Sequence, residues 1–409
     1  MFPASMATLP KLLVFDSHPV QYRVPIWQTL EALSPGCVHV AYASDCSVRG
    51  HADADFGQTF AWDEPMLSGY DHTILNCEKG EPLAGWGSLT GEGVSQLITQ
   101  LQPSAVLLTG LNYRYDLMAY LAARRHNIPV WLRCETQDYA LSRSALKDQL
   151  RSLVYRTAYL GLNHVFFIGQ LNKQHYLRHG IDSTQLTPAH YGTVDRYAHV
   201  TNAEKTQLRT QARVAAGIAA TSHVVGFSGK FIAKKNPGIL YKMLDHLPVE
   251  LRRRTHLYFM GSGGLESELR QLAAAALQRY GVPTYFSGFV NQSQLAGHYL
   301  AFDTLVLPSQ RQGETWGLVA NEAMQAGCGV IVSDAVGCGA DFWNWERFRV
   351  FTTGVAAALA KAVAELAVFP RDTEWARPKL RNYSIQATAT ALATELGKLS
   401  PQPAVSNIG

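Results

Sequence analysis

Short apolar runs alternate along this chain with longer stretches whose apolar residues recur at helical spacing. Lys11 to Phe15, Val38 to Tyr42, Ala105 to Thr109, Val130 to Arg133 and Val165 to Ile168 each have the length of a buried strand. Gly93 to Leu101, Asp116 to Arg125 and Asn172 to His179 lie between them with helical periodicity, the last closed by Gly180. The pattern resumes with strands at Val224 to Ser228, His256 to Met260, Thr284 to Ser287 and Thr304 to Leu307, and helices at Glu266 to Gln278 and Ser293 to Leu300. Strands and helices alternating at this size predict an α/β fold whose parallel sheets are covered on both faces. A chain of 409 residues exceeds one ordinary core and predicts two domains. The polar helical stretch from Thr201 to Ala220 marks the change between them. The first domain is therefore set at 1–200 and the second at 201–384. Residues 385–409 hold a last helix, Ile385 to Lys398, and a frayed tail from Pro401.

Two stretches depart from this rhythm. Asp45 to Gly85 is irregular and rich in Gly, Asp and aromatic residues, which suits either a substrate-recognition surface or a plain surface insertion. Leu146, Leu150, Leu153 and Val154 form an apolar stripe beside Lys147, Arg151 and Arg156. It is read as facing the core, in preference to a basic amphipathic helix in peripheral contact with an anionic membrane.

Composition changes the picture only by exclusion. Hydrophobic content of 47% with 17% charged residues is that of a globular protein, and a net charge of +4 gives no argument for a nucleic-acid partner. The six cysteines form no C-x-x-C pair and no metal-ligand spacing with the histidines, so they read as reduced thiols. No apolar run reaches bilayer length, and the first ten residues lack the pattern of an export signal. The expected location is cytoplasmic, with the inner face of a membrane as the peripheral option.

Chemistry concentrates between Phe302 and Asp341. There a strand runs into a polar loop, and a helix beginning near Gly317 carries Leu318, Val319, Glu322, Ala323 and Ala326. Helix N-termini at the carboxyl ends of parallel strands favour anions, so the amides of Gly317 and Leu318 are candidates for a phosphate. Glu314 and Glu322 flank that spot, and carboxylates there suit hydroxyl groups. A phosphate between two hydroxyl-rich groups describes a nucleotide sugar. Two glutamates on and beside a helix also make an ordinary solvated face, although Glu322 lies among apolar neighbours. The strand Val224 to Ser228 ends in Gly229 and Lys230, with Lys235 five residues on; two lysines there can neutralise a diphosphate, or form a solvated cluster. The strand ending at Met260 delivers Gly261 and Gly263, where a ligand can approach backbone closely, although a lone G-x-G is usually a turn.

These residues together resemble a known family. E-T-W-G-L-V-A-N-E, preceded by L-P-S and followed by A-M-Q-A-G-C-G-V-I-V-S-D, is similar to the E-x7-E region of the family-4 retaining glycosyltransferases. The resemblance implies the GT-B fold: two Rossmann-like domains with parallel sheets facing across a cleft, and a final helix crossing back to the first domain. It implies that Lys230 and Lys235 hold the donor diphosphate, Lys230 standing where relatives have arginine. Glu314 would hold the sugar and Glu322 the ribose, while Gly229, Gly261, Gly263 and Val290 would border the nucleotide. H-P-V-Q-Y-R-V-P, starting at His18, resembles the opening of a subset of the family, which places His18 and Gln21 toward acceptor and sugar. Glu135 falls where relatives often have histidine; a loop carboxylate paired with Arg133 is its other reading.

The implied reaction is transfer of a glycosyl group from a nucleotide diphosphate sugar to a hydroxyl of a glycan, lipid-linked or small-molecule acceptor, with retention. Its catalytic residues would be Glu314, Lys230 and Lys235, stabilising charge on the leaving diphosphate. No metal and no other cofactor is expected, since the lysines supply the positive charge. Two other classes remain open: a nucleotide-sugar epimerase on the same fold, and a non-catalytic nucleotide- or glycan-binding protein.

Overall fold

The computed structural model of the chain describes residues 9–49, 51–53, 58–60, 64–79 and 83–399, so the tail from Pro401 lies outside the described residues. The first half begins with β1 (Leu12–Asp16), α1 (Val24–Leu33) and β2 (Val38–Tyr42). An antiparallel pair, β3 (His51–Asp53) and β4 (Gln58–Phe60), precedes β5 (Asp71–Ile74). Then come α2 (Val94–Leu101), β6 (Ala105–Leu108), α3 (Arg114–Arg125), β7 (Val130–Leu132) and α4 (Ala145–Tyr159). β8 (His164–Phe167), α5 (Gln170–Arg178) and β9 (Leu186–Pro188) complete a sheet of order β5-β2-β1-β6-β7-β8-β9. All of its pairings are parallel.

After α6 (Asn202–Ala215) the second half repeats the plan. Its first elements are β10 (His223–Ser228), α7 (Ile239–Lys242), α8 (Val249–Arg253), β11 (Thr255–Met260), α9 (Glu266–Tyr280) and β12 (Thr284–Gly288). There follow α10 (Leu295–Ala301), β13 (Thr304–Leu307), α11 (Val319–Gln325), β14 (Gly329–Ser333), α12 (Gly339–Phe342) and β15 (Phe348–Phe351). These strands form a second parallel sheet, β12-β11-β10-β13-β14-β15. The chain closes with α13 (Ala356–Leu366), α14 (Arg377–Leu380) and α15 (Ile385–Leu396). Every residue of β1, β6, β10 and β13 is buried, which is why these strands read as nearly unbroken apolar runs: helices cover both faces.

Two expectations are corrected. The stretch 45–85 is not wholly irregular, because β5 pairs with β2 at the sheet edge. Its D-H-T-I sequence carries no apolar run because the edge position leaves it only partly buried. The stripe on α4 does not face the core: Leu146, Leu150, Leu153 and Val154 are 59% to 68% exposed. The opposite face makes the packing. There Arg151 pairs with Asp138, and the Tyr155 ring meets the edge of His175 at 4.8 Å.

The last helix returns to the first sheet. Ala389, Leu392 and Leu396 of α15 are buried in one cluster with Trp27 and Leu30 of α1, Val14 of β1 and Phe166 of β8. A fully buried leucine truncated in such a core leaves a cavity. Leu392→Ala should therefore destabilise the protein by about 2–5 kcal/mol, read from the urea unfolding midpoint, while the exposed Leu150→Ala should change it by less than about 0.5 kcal/mol.

Candidate active site

Each sheet has a place where the chain leaves one strand to build outward on both sides. In the first sheet β1 lies between β2 and β6; in the second, β10 lies between β11 and β13. Loops following the two central strands diverge there and leave a crevice, the usual ligand position of an open parallel sheet. The loop after β10 holds Gly229, Lys230 and, in a short helical turn, Lys235. The loop after β13 holds Ser309, Glu314 and the entry to α11.

The side chains of Lys235 and Glu314 form an ion pair across this crevice. Glu314 Oε2 also accepts a hydrogen bond from Ser309 Oγ at 2.9 Å, and the Ser309 carbonyl accepts one from Ser333 Oγ at 2.5 Å. Backbone ties the loops as well, the Gln310 amide donating to the Lys234 carbonyl at 2.7 Å. Gly317, where the loop turns into α11, has φ +96°, and a Cβ there would come within 2.7 Å of Leu307 and 2.8 Å of Val336. Glycine alone permits that turn.

Glu322, one turn into α11, has a different setting. Its Oε2 accepts a hydrogen bond from Tyr299 at 2.6 Å, and the same hydroxyl lies 2.9 Å from Ser228 Oγ. Burial raises the Glu322 pKa above the ordinary glutamate range, against the lowering effects of Tyr299 and Arg196. Gly229, Gly261, Val290, Leu318 and Glu322 line a cavity of about 170 Å³ between the two halves, faced by Gln21 and Tyr22 of the first. The Gln21 Oε1 there is buried and has no hydrogen-bond partner among the described residues. Arg196 closes one side of the cleft, donating to Glu64 at 2.7 Å and to Gln292 at 2.8 Å.

The crevice of the first sheet is a polar cavity of about 220 Å³ whose lining includes His18, Arg23, Asn112, Asp116 and Glu135. Burial pushes Asp116 up to about 6, although the amides of Asn112 and Tyr113 donate to it at 2.8 and 2.9 Å. His18 Nδ1 lies 3.0 Å from Ser17 Oγ. Glu135 does not pair with Arg133. It accepts a hydrogen bond from Thr315 Oγ1 at 2.8 Å, reaching across to the loop that carries Glu314, while Arg133 donates to the Ala189 carbonyl at 3.0 Å.

Lys235 and Glu314 are thus brought together, and Glu322 joins Gly229, Gly261, Val290 and Leu318 around the cleft. Lys230, Lys235, Glu314 and Gly317 lie outside the lining of that cavity, and so does Gly263, where a Cβ would meet the Phe231 backbone at 2.7 Å, so its glycine is required by packing. Sequence reasoning passed over Ser309, Tyr299, Thr315 and Trp316. Trp316 is buried, stacks on Tyr383 with ring centroids 6.0 Å apart, and donates to Asn321 at 2.9 Å. A tryptophan in a polar loop two residues from Glu314 was a signal that this loop is anchored at the junction of the two halves.

Two parallel Rossmann-like sheets across a cleft, with a last helix returning to the first, define the GT-B fold of glycosyltransferases. The chain aligns with the solved structure of a glycosyltransferase from Rickettsia africae with a TM-score of 0.67 at 14% identity, covering 96% of this chain and 100% of that one. It aligns with Anabaena HepE, solved with UDP and glucose, with a TM-score of 0.60 at 14% identity over 95% and 97% of the two chains. In sequence, residues 209–374 match the family described as glycosyl transferases group 1, which supports that broad family. The D-inositol 3-phosphate glycosyltransferase of Xylanimonas cellulosilytica is 34% identical over 131 residues, 32% of this chain and 30% of that relative. The chain therefore matches less than a third of that relative's length.

The Tyr299 hydroxyl donates to the buried Glu322 carboxylate, so its loss should leave that carboxylate poorly solvated. Tyr299→Phe should lower stability by about 1.5–3 kcal/mol, the range for a hydrogen bond to a charged group, as measured by urea denaturation. Ser228→Ala, which leaves that bond in place, should cost about 1 kcal/mol or less.

Proposed function

We propose that this chain is a retaining glycosyltransferase that moves a sugar from a nucleoside diphosphate sugar to a hydroxyl acceptor in glycan or glycoconjugate biosynthesis. The observation that carries the reading is the Lys235–Glu314 pair at the crevice of the second sheet, beside a cleft bordered by Glu322 and facing the first. A cation and an acid in contact suit the join between a diphosphate and a sugar. The lysine meets phosphate oxygens and the carboxylate meets ring hydroxyls. Lys230 adds a second positive charge at the end of β10, and the amides of Gly317 and Leu318 lie at the entry to α11. Charge grows on the diphosphate as the glycosidic bond breaks, and fixed cations aimed at it lower the barrier. The reaction in this reading uses no metal and no other cofactor, because the lysines do that work. Glu322 takes the ribose hydroxyls, with Gly229, Gly261 and Val290 around the nucleotide.

The polar cavity with His18, Arg23 and Glu135 is assigned to the acceptor; Gln21 faces the cleft, and Tyr22 lines both cavities. That second cavity supports transfer over epimerisation, which needs no acceptor site. All six cysteines are buried thiols in no disulfide, which accords with a reducing, cytoplasmic location. No helix among the described residues is long and apolar enough to cross a membrane. HepE was solved with UDP and glucose, so UDP-glucose is the first donor to try.

The two members of the central pair should separate in kinetics. Lys235→Ala should weaken UDP binding by about 1.5–3 kcal/mol in isothermal titration calorimetry. Glu314→Gln should leave that affinity within about twofold and lower turnover on the active donor by on the order of 10²-fold, because its contacts tighten only as the sugar departs. Equal losses of affinity and turnover in Glu314→Gln would make it a nucleotide contact and overturn the assignment.

A further inference from the structure

α4 turns its apolar side chains to solvent. Leu146, Leu150, Leu153 and Val154 are 59% to 68% exposed, and Leu160, just past the helix, is 85% exposed. At about 100° per residue these five fall within a sector of about 120°. Exposed Lys147 borders that sector on one side and exposed Arg156 on the other. The acidic residue of the helix, Asp148, lies away from it and pairs with Arg178 at 2.5 Å. Single exposed leucines are ordinary; a contiguous apolar face with a basic rim marks an interaction surface.

The patch extends beyond one helix. Leu117 and Leu121 of α3, 40% and 38% exposed, stand one turn apart, with exposed Arg124 and Arg125 at the end of that helix. α3 approaches the chain just past α4, where a Cβ on Gly161 would fall 1.9 Å from the Tyr120 hydroxyl. Beyond Leu160 lies a cavity of about 510 Å³ whose lining includes Arg156, Arg178 and Leu177. On its inner side α4 is fixed by the Arg151–Asp138 pair and by Tyr159, whose hydroxyl lies 2.9 Å from His175 Nε2. The outer face is therefore held in place without a partner.

We propose that this face docks the protein on an anionic lipid bilayer. Leu146, Leu150, Leu153 and Val154 enter the boundary of headgroups and acyl chains. Lys147 and Arg156 meet lipid phosphates on either side. A second copy of the chain fits less well, because a two-fold contact through this face would set the basic rims of both copies against each other. The inference does not depend on the reaction assigned to the cleft.

The test is co-sedimentation of the full chain with vesicles of phosphatidylcholine alone and with about one third phosphatidylglycerol, at low and physiological salt. Partition onto the anionic vesicles should exceed that onto the neutral ones about tenfold or more, and should fall as salt rises. Leu150→Glu combined with Leu153→Glu should remove about tenfold of that binding, with circular dichroism and thermal midpoint unchanged because both side chains are exposed. Lys147→Glu combined with Arg156→Glu should do the same, and decides the matter should the leucine pair disturb the fold. Absence of anionic-vesicle binding, or binding unaltered in both pairs, overturns the proposal. So does a concentration-dependent dimer of the parent that the leucine pair dissolves, which would give this face to a second copy.

Discussion

The reversal of strand order at β10 is the constraint from which the rest of the candidate site follows. With β11 built on one side of β10 and β13 on the other, the loops after β10 and β13 leave in opposite directions and diverge above the sheet. In this chain the diverging loops carry opposite charges at their nearest points, Lys235 and Glu314. Their contact, together with Ser309 and the Gln310–Lys234 backbone bond, fixes the mouth of the crevice without filling it.

The same loop also joins the two halves of the molecule. Its Gly313 amide donates to the Ala140 carbonyl at 2.8 Å, Thr315 reaches Glu135, and Trp316 is buried against Tyr191 and Tyr383. Asn321 on α11 donates to the Tyr191 carbonyl at 3.2 Å, and Gln325 to that of Thr193 at 3.1 Å. Glu314 and Glu322 are thus carried on a segment held from both sides. Opening of the cleft would have to break hydrogen bonds within a few residues of Glu314, which links the spacing of the halves to the geometry of the pair.

Burial divides the carboxylates into two kinds. Glu314 is matched by a lysine at close range. Glu322 has a hydroxyl donor where an ion-pair partner would be, and Asp116 has two backbone amides; for both, loss of water outweighs the hydrogen bonds and raises the pKa. Asp138 shows the reverse balance. Burial would raise its pKa too, but hydrogen bonds and charge from His175 and a hydrogen bond from Arg151 hold it well below the usual range. His175 and His179 lie close enough to Asp138 to suggest a metal site, yet Arg151 and Arg178 already neutralise that carboxylate.

Alternation of buried strands and amphipathic helices was legible in the sequence because helices on both faces make each central strand apolar throughout. The crevice lysines and the two glutamates were legible because the ends of such strands are marked by glycine and polar residues. What the sequence could not determine was which way a helix faces. The stripe on α4 has the periodicity of a core-facing helix, and periodicity gives the angle between side chains without saying what lies opposite. Arg151, Tyr155 and Tyr159 took the inner side through Asp138 and His175, partners far enough along the chain that only folding brings them near. Strand β5 escaped notice for a related reason, since an edge strand needs little apolar surface. The pairing of Lys235 with Glu314, and of Thr315 with Glu135 across the cleft, likewise depended on strand order, which residue spacing alone does not encode.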